Sequence, residues 1–134
     1  MGWSLTINEE KILFVGDRRS ELATRMGVYW EDERLSGKRI FETQRKFGME
    51  PHRCRYVNLN DGPGEEVARE YVRGGGKVIA MGQKVADGLT KLKIPHIAIP
   101  HPAARGELRR EPVYVARVRR IFVREGLLRI DKTT

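Results

Sequence analysis

Four stretches of this sequence place glycine or polar residues directly after apolar runs, in combinations that could contact a nucleobase or a phosphate. They are Gly16-Asp17-Arg18-Arg19, Asn58-Leu59-Asn60-Asp61, Gly82-Gln83 and His101-Pro102-Ala103-Ala104-Arg105. Imidazole and amide groups can hydrogen-bond to a base, and guanidinium groups pair with phosphate. Three of the four stretches carry such groups, although a single histidine such as His101 could equally be an ordinary loop residue.

Alternating strands and helices must position these residues. Short apolar runs predict buried strands at residues 11–16, 54–59, 77–82 and 96–100. A polar loop of about twenty residues follows the first strand, and loops of that length tend to be functional. Amphipathic patterns predict a helix capped by Ser36 and ended by Gly48, two more over 64–76 and 83–92, and a last one from Pro112 to near Gly126.

This alternation predicts an α/β domain with three layers, in which a four-stranded parallel sheet carries helices on both faces. We expect the 11–16 and 77–82 strands at the centre and the 54–59 and 96–100 strands at the edges. A chain of 134 residues fits a single domain over 1–134. Ligands of such sheets bind beyond the carboxyl ends of the strands, where the four polar stretches fall.

Composition narrows the class of protein. No apolar run approaches the 18 or more residues that cross a bilayer, and the first residues lack a signal-peptide pattern, so we expect a cytoplasmic protein without a membrane partner. The single cysteine, Cys54, excludes an internal disulfide, a four-thiolate zinc site and an iron–sulfur cluster within one chain. We interpret it as a small buried hydrophobe and expect no metal or other cofactor.

The charge of the chain favours nucleic acid as a partner. The formal net charge is +8, and arginine outnumbers lysine by 18 to 8. Arginine pairs with phosphate and stacks on bases, although a GC-rich genome would produce the same bias. Residues 105–134 hold nine basic and four acidic side chains. We therefore expect a positive surface close to His101.

The order and spacing of these motifs resemble the uracil-DNA glycosylase superfamily, most of all its small bacterial and archaeal branches. "ILFVGDRRSE" is similar to the family's first strand and Gly-led catalytic loop, "CRYVNLN" to the strand that supplies an asparagine to the base, and "IPHIAIPHPAARG" to the strand that runs into His-Pro-Ser. "MGVYWEDERLSGKRIF" and "KVIAMGQKVADGLTKL" resemble two connecting segments. The resemblance covers about residues 11 to 106.

The resemblance implies a monomeric, cofactor-free enzyme that hydrolyses the N-glycosidic bond of uracil, or of another deaminated base, in single- or double-stranded DNA. His101 would donate a hydrogen bond to the uracil carbonyl as charge builds on the leaving base, and loss of such a donor costs about 100- to 1000-fold in rate. Asn58 would read the O4 and N3–H edge, with Asn60 as the alternative. Trp30 or Tyr29 would stack on the flipped base.

The same resemblance assigns residues to the catalytic loop and to DNA. Gly16 leads the loop, and Asp17 can position the attacking water. Arg105, four residues after His101, would enter the duplex as the base leaves. Further arginines would hold the DNA backbone, or else form a solvated basic face: Arg18, Arg19, Arg109, Arg110, Arg117, Arg120 and Arg124.

Departures from the family pattern keep other functions open. The loop lacks the family proline, and Arg18 occupies the slot of the catalytic Asp or Asn, where it cannot act as a general base. Ala103 and Ala104 replace the serine and second proline of His-Pro-Ser-Pro. The alternative is a weak or inactive member of the fold that binds DNA, a modified base or a protein. A small-molecule nucleoside enzyme is a third idea, which the basic tail disfavours.

Overall fold

The computed structural model describes residues 2–131. Its strands and helices follow one another in the order β1 (Gly2–Leu5), β2 (Ile12–Gly16), α1 (Glu21–Met26), α2 (Ser36–Lys46), β3 (Arg55–Asn58), α3 (Gly64–Arg73), β4 (Lys77–Met81), α4 (Gln83–Lys91), β5 (Ile97–Ile99), α5 (Glu111–Arg124) and β6 (Leu128–Asp131). Short 3₁₀ turns cover Glu9–Lys11, Trp30–Asp32, Pro51–Arg53 and Gly106–Arg109.

The main sheet has four parallel strands in the order β3-β2-β4-β5. The predicted parallel sheet is confirmed, and so is the central position of β2 and β4. In the β2–β3 register Gly16 lies opposite Asn58, and in the β4–β5 register Met81 lies opposite Ile99. The polar stretches that follow the strands therefore meet at one edge of the sheet.

Alternating side chains of the central strands build two cores. Ile12 and Phe14 of β2 face α2 and α5 in one hydrophobic cluster, whereas Leu13 and Val15 face α3 and α4 in the other. All four side chains are at most 1% exposed. Full burial of an apolar side chain of this size stabilises a fold by about 1.5–3 kcal/mol. The arrangement is the expected layering of helices on both faces of the sheet.

The predicted buried faces of α2 and α5 are confirmed. Buried residues of α2 and its end include Ile40, Phe41, Gln44 and Phe47, and those of α5 include Val115, Val118, Ile121 and Phe122. Cys54 is also buried in the core, and desolvation raises the pKa of its thiol to about 12. It is the small hydrophobe that its isolation in the sequence suggested.

The prediction that Ser36 caps α2 is wrong. Ser36 is the first residue of the helix, and Leu35 holds the cap position with φ 56° and no side-chain hydrogen bond. The helix therefore begins one residue earlier than predicted, and Gly37 in its first turn leaves room for the preceding segment. A Cβ at Gly37 would lie 2.7 Å from the carbonyl oxygen of Trp30.

Two features were not predicted from the sequence. The loop after β2 contains α1, whose N-cap is Ser20 and whose last turn ends at Gly27 with φ 68°. A second, antiparallel sheet pairs β1 with β6, with Gly2 opposite Asp131. Within residues 2–131, none of the helices has the length and apolar character needed to span a membrane.

Tyr114 ties α5 to the strand that leads into the candidate site. The side chain is 0% exposed, and its hydroxyl donates to the carbonyl oxygen of Pro100 at 2.7 Å. We expect Tyr114→Phe to lower the free energy of unfolding by about 1–3 kcal/mol, because the Pro100 carbonyl loses a buried partner. Urea denaturation measures the effect. Tyr29→Phe, at an exposed ring, is the control, and equal midpoints for the two variants would contradict this role of Tyr114.

Candidate functional site

A cleft of about 310 Å³ opens beyond the carboxyl ends of β2 and β3. The segment between β2 and α2 forms one side of it, and the end of β3 with the following turn forms the other. His101, just after β5, also lines the cleft. The sequence analysis predicted ligand-binding residues at this same edge of the sheet.

The predicted site residues divide into two groups. Those that line the cleft are Arg18, Arg19, Tyr29, Trp30, Asn58 and His101. Those that do not line it are Gly16, Asp17, Arg105, Arg109, Arg117 and Arg120. The structure therefore brings together the groups suited to holding a base, and it keeps the predicted water-positioning carboxylate out of the lining.

A hydrogen bond between Trp30 and Asn58 fixes the amide at the end of β3. The indole Nε1–H of Trp30 donates to Asn58 Oδ1 at 3.0 Å. Because an indole N–H can only donate, the amide oxygen must face it and the amide nitrogen must point elsewhere. Asn58 Nδ2 has no hydrogen-bond partner among the described residues, but it is not among their buried unsatisfied polar atoms. It is left to meet solvent or a ligand.

Gly16 makes this contact possible without lining the cleft. A Cβ at Gly16 would lie 2.5 Å from Asn58 Oδ1 and 2.8 Å from Cζ2 of Trp30. Any side chain there would displace one of the two groups. The glycine at the end of β2 thus lets the indole pack over the strand end while it bonds to the neighbouring strand.

Asp17 is committed to other partners. Lys84 Nζ lies 3.1 Å from its carboxylate, and Asn60 Nδ2 donates to Oδ1 at 2.6 Å. Partial burial works to raise the pKa of Asp17, but the bonds from Lys84 and Asn60 outweigh it and lower the pKa. The carboxylate is therefore ionised at neutral pH. Of the two candidate asparagines, Asn58 faces the cleft and Asn60 holds Asp17.

His101 has a defined tautomer. The backbone N–H of Ala103 donates to Nδ1 at 2.9 Å, so in the neutral ring the proton belongs on Nε2. Solvent reaches the side chain from the cleft, but the surrounding protein still disfavours the charged form. Burial lowers the pKa of His101, and the negative charge of Asp17 opposes this only in part. At neutral pH the ring is a neutral hydrogen-bond donor.

Sequence reasoning did not single out Arg34, which also lines the cleft. It lies between Glu33 and Leu35, whose φ values of 57° and 56° are both left-handed. Glu33 is held by two hydrogen bonds from Arg45, at 2.8 and 2.6 Å, and by His52 at 2.8 Å. Nothing in the local sequence indicates these contacts, because Arg45 and His52 come from α2 and a later turn.

The predicted DNA-contacting arginines of the C-terminal part lie around α5. Arg105 precedes the 3₁₀ turn after His101 and Arg109 is its last residue, and the Leu108 and Arg109 carbonyls accept hydrogen bonds from Arg39. Arg117 and Arg120 are exposed on α5. Tyr114 lies in the first turn of α5 and contacts Pro100, which precedes His101 of the cleft. Arg120 lies about 9 Å further along the helix axis. Residues 2–131 hold no cluster of three or more His, Cys, Asp or Glu side chains able to bind a metal.

The tautomer and pKa of His101 can be measured directly. We expect ¹⁵N shifts of a neutral, Nε2-protonated ring at pH 7.5 and a titration midpoint below 6.5, the ordinary value. Since the unfolded chain then takes up this proton at higher pH than the folded protein, His101 contributes stability above that range and loses it as the pH falls. The urea-unfolded protein is the reference, and a midpoint at or above 6.5 would contradict the desolvated setting.

Comparisons with protein-family models, with curated proteins and with solved structures find no match for this chain. They show no family for it. Its function has to be inferred from the cleft and from the charged surface around it.

Proposed function

We propose that this protein is a uracil-DNA glycosylase-like enzyme, which holds uracil or another deaminated base in the cleft and hydrolyses its N-glycosidic bond. One observation carries the proposal. Trp30, the oriented amide of Asn58 and the neutral imidazole of His101 line a single cleft beyond the ends of parallel strands. Uracil offers two carbonyl oxygens, which suit the two donors, and a flat ring that suits the indole.

The orientation of Asn58 supports recognition of a carbonyl rather than an amino group. With Oδ1 turned towards Trp30, the amide presents Nδ2 as a donor. A base with a carbonyl at position 4 accepts this hydrogen bond, whereas cytosine presents an amino donor there. Two opposed donors would leave buried groups unpaired, at a cost of about 1–3 kcal/mol. The site would therefore favour uracil over cytosine.

His101 would assist departure of the base. When the glycosidic bond breaks, its electron pair moves to the base and the sugar becomes oxocarbenium-like. The Nε2–H group can donate to the base carbonyl as that negative charge builds. A neutral donor held in place by Ala103 needs no rearrangement at this moment.

The attacking water lacks the general base of the family pattern. Water adds to the sugar carbon and must lose a proton, and Arg18 cannot accept it. Asp17 is ionised, but its carboxylate is bound by Lys84 and Asn60 and does not line the cleft. We therefore expect slow turnover.

The engagement of Asp17 by Lys84 and Asn60 favours a second candidate function. A protein that keeps the base-holding residues while its carboxylate is engaged elsewhere suits binding of DNA or of a modified base without cleavage. In this alternative the fold and the cleft are those of the glycosylase family, and the chemistry has been lost.

Release of free uracil separates the two functions. From deoxyuridine-containing single- and double-stranded oligonucleotides we expect slow release by the wild type. The loss in His101→Ala should be at least as large as in Asp17→Ala, because dissociative cleavage depends more on leaving-group stabilisation than on a strong base. Chromatography of the released base measures the rates. If the wild type releases no deaminated base above the His101→Ala background, the enzyme proposal is wrong and binding alone takes its place.

DNA binding through the arginines should depend strongly on salt. If Arg117 and Arg120 contact phosphates, reversing each to Glu should weaken binding alike for all sequences and reduce the salt slope by about one per contact. Fluorescence anisotropy between about 50 and 200 mM salt measures both.

Arg73→Glu is the matched control, because this exposed arginine ends α3 on the opposite face of the sheet. Equal losses in this control, or an affinity that ignores salt, would count against α5 as the phosphate-binding surface.

A further inference from the structure

Tyr29 presents an aromatic ring to solvent at the mouth of the cleft. Its relative exposure is 61%, the highest among the exposed large hydrophobic side chains of the described residues. The guanidinium of Arg19 covers one face of the ring, with Cζ 3.9 Å from the ring centroid. The stacked pair therefore leaves the other ring face to whatever approaches the cleft.

Both members of this stack are held in place before any ligand arrives. Arg19 Nε donates to the carbonyl oxygen of Val28 at 2.9 Å, and its backbone N–H donates to the Asp61 carboxylate. The Tyr29 backbone N–H donates to Asp32 Oδ2 at 2.7 Å. A surface that is already ordered loses little conformational entropy when it binds.

The backbone separates the roles of the two aromatic residues. Tyr29 is extended, with φ −113° and ψ 169°, and successive side chains of an extended chain point to opposite sides. Trp30 accordingly turns inward to Asn58 and packs against the core, while Tyr29 turns outward. Their Cα atoms are about 3.8 Å apart. One ring therefore belongs to the interior of the cleft and the other to its rim.

The chemistry of the rim favours a nucleobase. Stacked aromatic and arginine side chains bind bases through their flat faces, largely without regard to sequence. Glu31 and Asp61 line the cleft together with Arg18, Arg19 and Arg34, so the charge of the lining is mixed and does not by itself select an acidic peptide. The exposed face of the Tyr29 ring is the dominant feature here, and the flat face of a nucleobase is complementary to it.

We infer that the Arg19–Tyr29 stack is a second base-binding site, which takes the nucleotide next to the one held inside the cleft. The inference rests on the proposed function, since it requires a nucleic-acid strand with one base in the interior. It makes the ligand a strand of at least two nucleotides rather than a free nucleoside. It also assigns Tyr29 to the neighbouring base and leaves the flipped base to Trp30.

Trinucleotides that carry 2′-fluoro-2′-deoxyuridine at the centre test this assignment, because the electron-withdrawing fluorine opposes cleavage. One ligand has thymine on both sides, and others lack the base on the 5′ side, the 3′ side or both. For the wild type we expect removal of one particular flanking base to weaken binding by about 5- to 150-fold. In Tyr29→Ala that removal should have almost no effect, whereas Tyr29→Phe should behave like the wild type.

Leu22→Ala is the control, because Leu22 is a 46% exposed side chain of the same loop that does not line the cleft. Titration calorimetry gives the affinities and thermal unfolding checks that each variant is folded. The inference is overturned if Tyr29→Ala keeps the full dependence on the flanking base, or if the wild type has none.

A central 2′-fluoro-2′-deoxycytidine tests the proposed function separately. Equal affinity for the uracil and cytosine ligands would refute recognition of uracil in the cleft. A dependence on the flanking base that disappears in Tyr29→Ala would still support a base-binding rim in that case. The two ideas can therefore fail independently.

Discussion

The hydrogen bond from Trp30 to Asn58 is the contact on which the architecture of the cleft depends. It joins the loop after β2 to the end of β3, and parallel pairing of these strands brings Gly16 opposite Asn58. The absence of a side chain at Gly16 leaves the room that the indole and the amide share. Strand register, a small residue and an aromatic donor thus combine to give one amide a single orientation.

The remaining contacts of the loop follow from that placement. Gly37 admits the Trp30 carbonyl against the first turn of α2, and Arg19 lies over Tyr29 on the outer side. On the far side of the β2 terminus, Lys84 at the start of α4 holds Asp17. The neighbouring residues Gly16 and Asp17 therefore face different surroundings: Gly16 lies beneath the indole of Trp30, and Asp17 lies beside α4.

The sequence predicted the layers of the fold because burial repeats with the period of each element. Ile12 to Val15 and Ile40 to Phe47 carry that signal locally, and the strand order was predicted from the strand-end glycines together with the helix patterns. α1 and the β1–β6 pair were missed, since α1 buries no residue of its own and the pair depends on partners distant in the chain. Asn58 and His101 were singled out from their places after strands and from the family resemblance, and both line the cleft, whereas the choice between Asn58 and Asn60 stayed open in the sequence. The ion pair of Asp17 with Lys84 could not be predicted, because the two residues are distant in the chain. The different orientations of Tyr29 and Trp30 likewise depend on tertiary contacts, such as the bond from Trp30 to Asn58.

The hydrogen bonds around Glu33 determine how this part of the cleft responds to a fall in pH. Hydrogen bonds from Arg45, and then from His52, lower the pKa of Glu33 to about 2. A depressed carboxyl pKa stabilises the folded state above the unfolded value and loses that effect only as the pH falls through the folded one. The ion pair of Glu33 and Arg45, which joins the segment before α2 to that helix, thus keeps its charges throughout mild acidification, while the imidazole of His101 changes its own. This side of the cleft therefore persists as its hydrogen-bond donor titrates.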